Sequence, residues 1–273
     1  MKLIYNKIFL QHDIDHPENK NRLYYFKNLI DTKIENGERY LELVHSPSYI
    51  NFVKEACKRE APLDPDTMIC KRSYEVACYA VGAAILAAKE NGFALVRPPG
   101  HHASHDKAGG FCIFNNIAIA TKFLLKKGKR VFILDFDLHH GNGTQEIFLG
   151  EKNVLYFSLH QSPLYPGTGL ESEKNCINIP LPFGTEDAEY VNELERKLIP
   201  TLRKFKPDIV GVSAGFDGYY KDFCYMNPSA GFKLTKKSYE KIKEILKPYK
   251  TFFVLEGGYN PESIREGVKV FLD

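Results

Sequence analysis

The chain is predicted to be an α/β protein, a mostly parallel central sheet with helices on both faces. Three observations predict it. Short apolar or β-branched runs alternate with segments of helical periodicity, the pattern of strands joined by helical crossovers. The 273 residues, 44% of them hydrophobic, suffice for a sizeable core and fit one large domain, residues 1–273, better than two. Each cluster of chemically able polar residues falls just after an apolar run, and a parallel sheet gathers its strand ends along one edge, where ligands bind.

In chain order, a helical pattern over residues 73–90 precedes an apolar run at 93–96, read as a strand. A second helix is expected over 116–127, stopped by Gly128. The run 131–136 is the next strand and 154–159 another. A long helix is expected over 187–205, ended by Pro207, then a strand at 209–213. The helix 236–246 and the strand 251–255 complete the reading. No internal repeat, low-complexity tract or linker interrupts it.

Four segments carry the chemistry. Asp135, Asp137 and His139 alternate at the end of the 131–136 run, and positions two apart on an extended chain share a face, so carboxylate and imidazole could converge on zinc or a similar divalent ion. A solvated strand end or a helix cap would look the same at this stage. The loop 97–103 holds His101 and His102 between prolines, a glycine and an alanine; adjacent imidazoles suit proton transfer near neutral pH, or metal ligation. Asp217, after the 209–213 run, would complete a two-Asp, one-His set with open positions, or else cap its loop. Tyr259 follows Gly257 and Gly258 and could offer its phenol to a developing oxyanion, or pack as most tyrosines do.

The balance of 37 Lys and Arg against 34 Asp and Glu gives a net charge of +3, with no basic run beyond short pairs, so nucleic acid is not an expected partner. Six cysteines without a Cys-x-x-Cys pair read as reduced, mostly buried thiols. No apolar stretch reaches the roughly 20 residues of a membrane span and no signal peptide opens the chain, which predicts a soluble, cytoplasmic protein.

Taken together, these strings resemble the histone deacetylase superfamily, which also holds acetylpolyamine amidohydrolases and acetoin-utilisation deacetylases. The resemblance runs nearly end to end: His16-Pro17-Glu18 with Arg22-Leu23, His45-Ser46-Pro47, Leu63-Asp64 with Asp66-Thr67, Arg97 to Ala103, Gly110-Phe111-Cys112, Leu134 to Gln145, Pro166 to Gly169, Ser213 to Asp217 and Glu256 to Tyr259. It implies the arginase/deacetylase α/β fold and a zinc-dependent (or iron(II)-dependent) amidohydrolase that removes acetyl groups from acetyl-lysine or acetylated polyamines. By the same resemblance, Asp137, His139 and Asp217 bind the metal, His102 transfers protons, His101 is its electrostatic partner and Asp135 orients His101. Tyr259 binds the carbonyl oxygen, Gly110 accepts the amide N–H, and Phe111 and Tyr165 wall the tunnel. A potassium site is implied at Asp135, Asp137, His139, Ser158 and Leu159. Two departures stand out. Asn142 stands where one branch of the family has an Asp to pair with its proton-transferring histidine; Asn is what the class II deacetylases and the acetylpolyamine enzymes carry there. The loop 218–231 is longer and more aromatic than the family's short turn, and could be a lid, a tunnel rim or a dimer contact in a homo-oligomer. An arginase-type ureohydrolase and a non-catalytic acyl-amine binding protein are the competing readings; the first would need a second Asp/His cluster.

Overall fold

The computed structural model describes residues 1–272. Seven strands form one sheet: β1 (Leu3–Ile4), β2 (Phe93–Ala94), β3 (Val131–Asp135), β4 (Val154–Gln161), β5 (Cys176–Leu181), β6 (Ile209–Ala214) and β7 (Thr251–Leu255). Their order is β1-β2-β7-β6-β3-β4-β5, and every pairing is parallel. The central strands β3, β6 and β7 are buried almost throughout, which explains their continuous apolar runs. All their carboxyl ends therefore open at one edge.

Helices α1 (Pro47–Arg59), α2 (Ser73–Glu90), α3 (Asn116–Leu125), α4 (Asn142–Phe148), α5 (Asp187–Glu193), α6 (Ile199–Phe205), α7 (Lys236–Leu246) and α8 (Pro261–Leu272) surround the sheet. The expected helix over 187–205 is continuous but widens to a π turn at Leu194–Leu198. Pro200 lies two residues beyond and has no N–H to donate to the Arg196 carbonyl, and Thr201 Oγ1 donates to the Lys197 carbonyl at 2.6 Å. The strand expected at 93–96 shortens to Phe93–Ala94 because its neighbour β1 has only two residues. β1, β5, α1, α4 and α8 go beyond the sequence expectation. β5 carries Pro180, tolerated because β5 is an edge strand paired only with β4. α1 is capped by Ser46, whose side chain accepts the Tyr49 N–H, with Pro47 at its first turn.

Two buried clusters position the site. Glu18, Arg22, Arg97 and His12 are all at most 1% exposed. Glu18 bridges Arg97 at 2.7 and 2.8 Å and Arg22 at 2.8 Å. Burial alone would raise its carboxyl, but Arg97 and its other partners outweigh that and hold it well below the usual range. Arg22 continues to the carbonyls of Gly258, at 2.5 Å, and Glu256, so the N-terminal segment grips the loop after β7.

The second cluster centres on His45, whose Nε2 accepts the Asn115 backbone N–H at 2.9 Å and whose Nδ1 lies 3.2 Å from the His105 carbonyl. Both bonds need the neutral ring with its proton on Nδ1. Burial pushes this imidazole down to about 4. A folded-state pKa below the unfolded value of about 6.5 gives stability that is complete above that value and lost as pH falls toward the folded one. Unfolding free energy is expected to drop by on the order of 3 kcal/mol across that window from this group. Urea midpoints of the wild type and His45→Gln at several pH values check it; parallel curves would show that His45 contributes none of the acid sensitivity.

Candidate active site

β3 ends at Asp135, so Asp137 and His139 lie beyond the strand and strand alternation does not bring them together. A turn does. Asp135 Oδ1 accepts the Asp137 N–H at 3.2 Å, and Asp137 Oδ1 accepts the His139 N–H at 2.9 Å, each side chain folding its own backbone two residues on. Asp217 arrives from the loop after β6. His139 Nδ1 then sits 3.2 Å from Asp137 Oδ1 and 3.0 Å from Asp217 Oδ2. Ligand atoms of the three residues lie within 4.8 Å of one another.

Backbone N–H groups fix both carboxylates. Gly257 donates to Asp137 Oδ2 at 2.7 Å and Leu138 to Asp217 Oδ1 at 3.0 Å. Burial acts to raise Asp137, but His101 and His139 override it and hold the carboxyl well below its usual range. Asp217 is pushed up, by burial first and then by the Asp137 charge. Two buried carboxylates and one half-buried imidazole, converging and held from behind, are a donor set that fits a divalent cation, which would relieve that repulsion.

The histidine loop leaves β2 and faces this set. His101 Nδ1 meets Asp135 Oδ2 at 3.1 Å, and Tyr156 donates its hydroxyl to the same oxygen at 3.0 Å. Burial opposes its protonation, but Asp137 and Asp135 together raise His101 to about 10. His102 lies beside it, ring centroids 4.0 Å apart, with Nδ1 2.8 Å from Asn142 Oδ1. Burial, then His101 and His139, lower His102 well below its usual value. Adjacent imidazoles are thus driven to opposite protonation states.

A cavity of about 240 Å³ opens over these groups, lined by His102, His139, Asp217 and Tyr259 at depth and by Gly110, Phe111, Leu138, Leu164, Tyr165, Asp66, Asp222, Met226, Asn227 and Ala230 on its walls. Tyr165 meets the His102 ring edge-on at 5.0 Å, and Phe111 meets Tyr259 at 5.7 Å. Gly110 has φ +52, and a β-carbon there would run into the His102 ring, so only glycine lets this wall approach. Asp135 and Ser158 face one another in register across β3 and β4, with Ser158 Oγ 2.9 Å from His160 Nδ1.

Two acidic residues hold the site without any sequence signal having given them that task. Glu256 Oε2 accepts the N–H groups of Gly100, at 2.7 Å, and His101, at 3.1 Å, so it fixes the histidine loop; burial raises it to about 7. Asp222, in the loop 218–231, accepts the Tyr259 N–H at 2.9 Å and the Asn260 N–H at 3.2 Å, and burial raises it to about 7 as well. That loop is therefore a wall of the cavity and a support of Tyr259. Asp64 adjoins Asp66 in a short turn, its Oδ1 accepting the Asp66 N–H at 3.0 Å.

A parallel sheet that brings acidic and histidine ligands to its carboxyl edge is the arrangement of the arginase/deacetylase fold. Residues 16–273 match the family model of the histone deacetylase domain, and the chain belongs to that family. It is a hydrolytic deacetylase. A probable deacetylase of Archaeoglobus fulgidus is 37% identical, the match covering 95% of this chain and 81% of that protein. Histone deacetylase 5 of Arabidopsis thaliana is 33% identical over 96% of this chain and 47% of its own length. Among solved structures, the HDA15 HD domain superposes with a TM-score of 0.90 at 30% identity, covering 100% of this chain and 90% of that one. An acetylpolyamine aminohydrolase from Burkholderia pseudomallei gives 0.84 at 26% identity, covering 100% and 97%. Among the described residues, no helix is long and apolar enough to cross a membrane.

Proposed function

We propose that this chain acts as one metal-dependent catalytic domain that hydrolyses the amide of an N-acetylated alkylamine, an acetylated polyamine or acetyl-lysine, to acetate and the free amine. The observation that carries this reading is the meeting of His102, His139, Asp217 and Tyr259 in one cavity, with Asp137 against His139 and His101 against His102. Asp137, His139 and Asp217 would hold zinc, or iron(II). When bound, such an ion polarises an acyl carbonyl and lowers the pKa of water from about 15.7 toward ~7.

The chain's own groups do the rest. His102, neutral and tied through Nδ1 to Asn142, presents its other nitrogen to the cavity, takes the proton of the attacking water and returns it to the departing amine. His101, held protonated between Asp135 and Asp137, stabilises the charge that develops beside it. Tyr259, kept as a neutral phenol by burial, donates its O–H to the carbonyl oxygen as it gains charge. The Gly110 carbonyl accepts the substrate N–H, and Phe111 and Tyr165 flank the alkyl chain. Asp135 and Ser158, with the carbonyls of Asp137, His139 and Leu159, would take potassium; the register of Asp135 with Ser158 supports that assignment.

Support for a two-metal ureohydrolase is weaker. Among the described residues, the other group able to hold a metal is His101, Cys112 and Glu256, and Glu256 already receives two backbone N–H groups. The test is acetate release from N-acetylbutylamine and from an acetyl-lysine peptide by zinc-loaded protein, with urea formation from arginine as the contrast. Urea without acetate, or hydroxamate binding with no turnover, would refute the amidase reading.

A further inference from the structure

Residues Gly109 to Cys112 close a tight turn at the cavity wall. The Cys112 N–H donates to the Gly109 carbonyl at 2.9 Å, and the Gly109 N–H returns to the Cys112 carbonyl at 3.3 Å. The two central residues, Gly110 at φ +52 and Phe111 at φ +69, both lie in the left-handed region, the signature of a type I′ turn. Glycine adopts that conformation freely, whereas the β-carbon of phenylalanine makes it unfavourable. A Gly-Phe pair suits the type II′ turn better, since that form needs positive φ only at its first central residue. The two forms differ by a half rotation of one peptide group, the one between Gly110 and Phe111. A contact outside the turn must therefore hold this peptide in its less favourable sense.

Thr67 supplies that contact. The Phe111 N–H donates to Thr67 Oγ1 at 3.3 Å. Thr67 is 1% exposed and fixed in a turn of its own, its N–H on the Asp64 carbonyl at 3.4 Å and its carbonyl on the Leu63 N–H at 3.1 Å. Its hydroxyl has one proton, directed at Asp66 Oδ1 3.4 Å away, which leaves its lone pairs to the Phe111 N–H. In a planar trans peptide the N–H and C=O point in opposite directions, so fixing the Phe111 N–H aims the Gly110 carbonyl away from Thr67. Cys112 Sγ, a weak donor, lies 3.3 Å from that carbonyl and leaves it a second lone pair. The Phe111 ring is pinned separately, edge-on to His16 with centroids 4.5 Å apart and edge-on to Tyr259. The peptide can thus turn over while the wall stays in place.

We propose that Thr67 is a positioning residue of the acyl-amine site: its hydroxyl holds the Gly110–Phe111 peptide in the strained sense and so keeps the Gly110 carbonyl turned to the substrate amide N–H. The proposal rests on the amide-hydrolysis reading above. Without the hydroxyl the turn relaxes to type II′, Phe111 returns to negative φ, and the peptide presents its N–H where its C=O stood. Donor then meets donor, and the amide loses an anchor while Asp137, His139, Asp217, His102 and Tyr259 are unaltered. An anchor made in the ground state and the transition state alike is felt in KM.

The experiment pairs kinetics with crystallography of the zinc-loaded protein. Thr67→Val removes the hydroxyl and is expected to raise KM for N-acetylbutylamine about tenfold, with kcat and metal content near those of the wild type. Thr67→Ser keeps the oxygen and is expected to behave as the wild type. The crystal structure of Thr67→Val is expected to show Phe111 at negative φ. A KM unmoved in Thr67→Val, an equal loss in Thr67→Ser, or a raised KM with Phe111 still at positive φ overturns the proposal. Thermal unfolding verifies each fold, and Thr67→Ala takes the place of the Val variant if that one does not fold. Failure of the wild type to release acetate overturns the amidase reading instead, and the crystal structures then still report whether Thr67 sets the peptide.

Discussion

Asp217→Asn is expected to lose its divalent ion on dialysis and at least about 10³-fold in kcat/KM, since partners one shell further out already cost 10–100-fold when removed. The same substitution should leave the metal-free protein at least as thermostable as metal-free wild type. In the apoprotein Asp217 is buried against Asp137, and burial together with that neighbouring charge raises its carboxyl. Removing a buried like-charge conflict does not weaken a fold. The Asn side chain can still accept the Leu138 N–H that Asp217 Oδ1 accepts at 3.0 Å. Added zinc should therefore raise the melting temperature of the wild type and leave the variant unmoved. Metal content by emission spectroscopy, kcat/KM and melting with and without zinc decide together. A variant that retains one equivalent of metal and near-normal turnover would remove Asp217 from the ligand set; one that loses activity and melts far below apo wild type would point to a structural role.

What was legible in the sequence was local. Asp135, Asp137 and His139 fall within five residues, His101 and His102 adjoin, and each string follows an apolar run that does prove to be a strand, so a sheet-edge argument sufficed to gather them. The reason offered for the first string needed amendment, because the strand stops at Asp135 and side-chain-capped turns carry Asp137 and His139 inward. What was not legible was support across long separations. Glu256 holds the Gly100 N–H from 156 residues away, and Arg22 reaches the Gly258 carbonyl across 236. No periodicity reports such bonds, because a buried carboxylate and a surface one look alike in a string of letters. The loop 218–231 was conspicuous for its aromatics, but its task depends on Asp222, whose carboxylate binds two backbone N–H groups with no fixed partner type. Elements such as β5 escaped for a related reason: an edge strand buries few side chains and tolerates Pro180, so its pattern is weak.

Tyr259→Phe is expected to lower kcat by roughly 10²–10³-fold, the loss of about 2.7–4 kcal/mol typical when one oxyanion donor is removed. The estimate applies to the hydroxyl alone because everything else holding the ring stays. The Arg22 guanidinium lies 5.1 Å from its centroid, Phe111 packs edge-on, and the backbone is fixed by Asp222 at the Tyr259 N–H and by Arg22 at the Gly258 carbonyl. None of these contacts needs the phenolic oxygen. An interaction made only as the carbonyl oxygen gains charge lowers kcat and kcat/KM together and leaves KM nearly unchanged. Burial also raises the phenol well above its ordinary value, so Tyr259 remains a donor through the working range and adds no alkaline limb of its own to the rate profile. Metal content should match the wild type, since the substitution leaves Asp137, His139 and Asp217, the converging set, untouched. A Phe variant with near-normal kcat would assign the carbonyl oxygen to another donor, and one whose loss lies wholly in KM would make Tyr259 a wall of the cavity; a fall in kcat with metal and KM retained leaves the hydroxyl as the group that meets the developing charge.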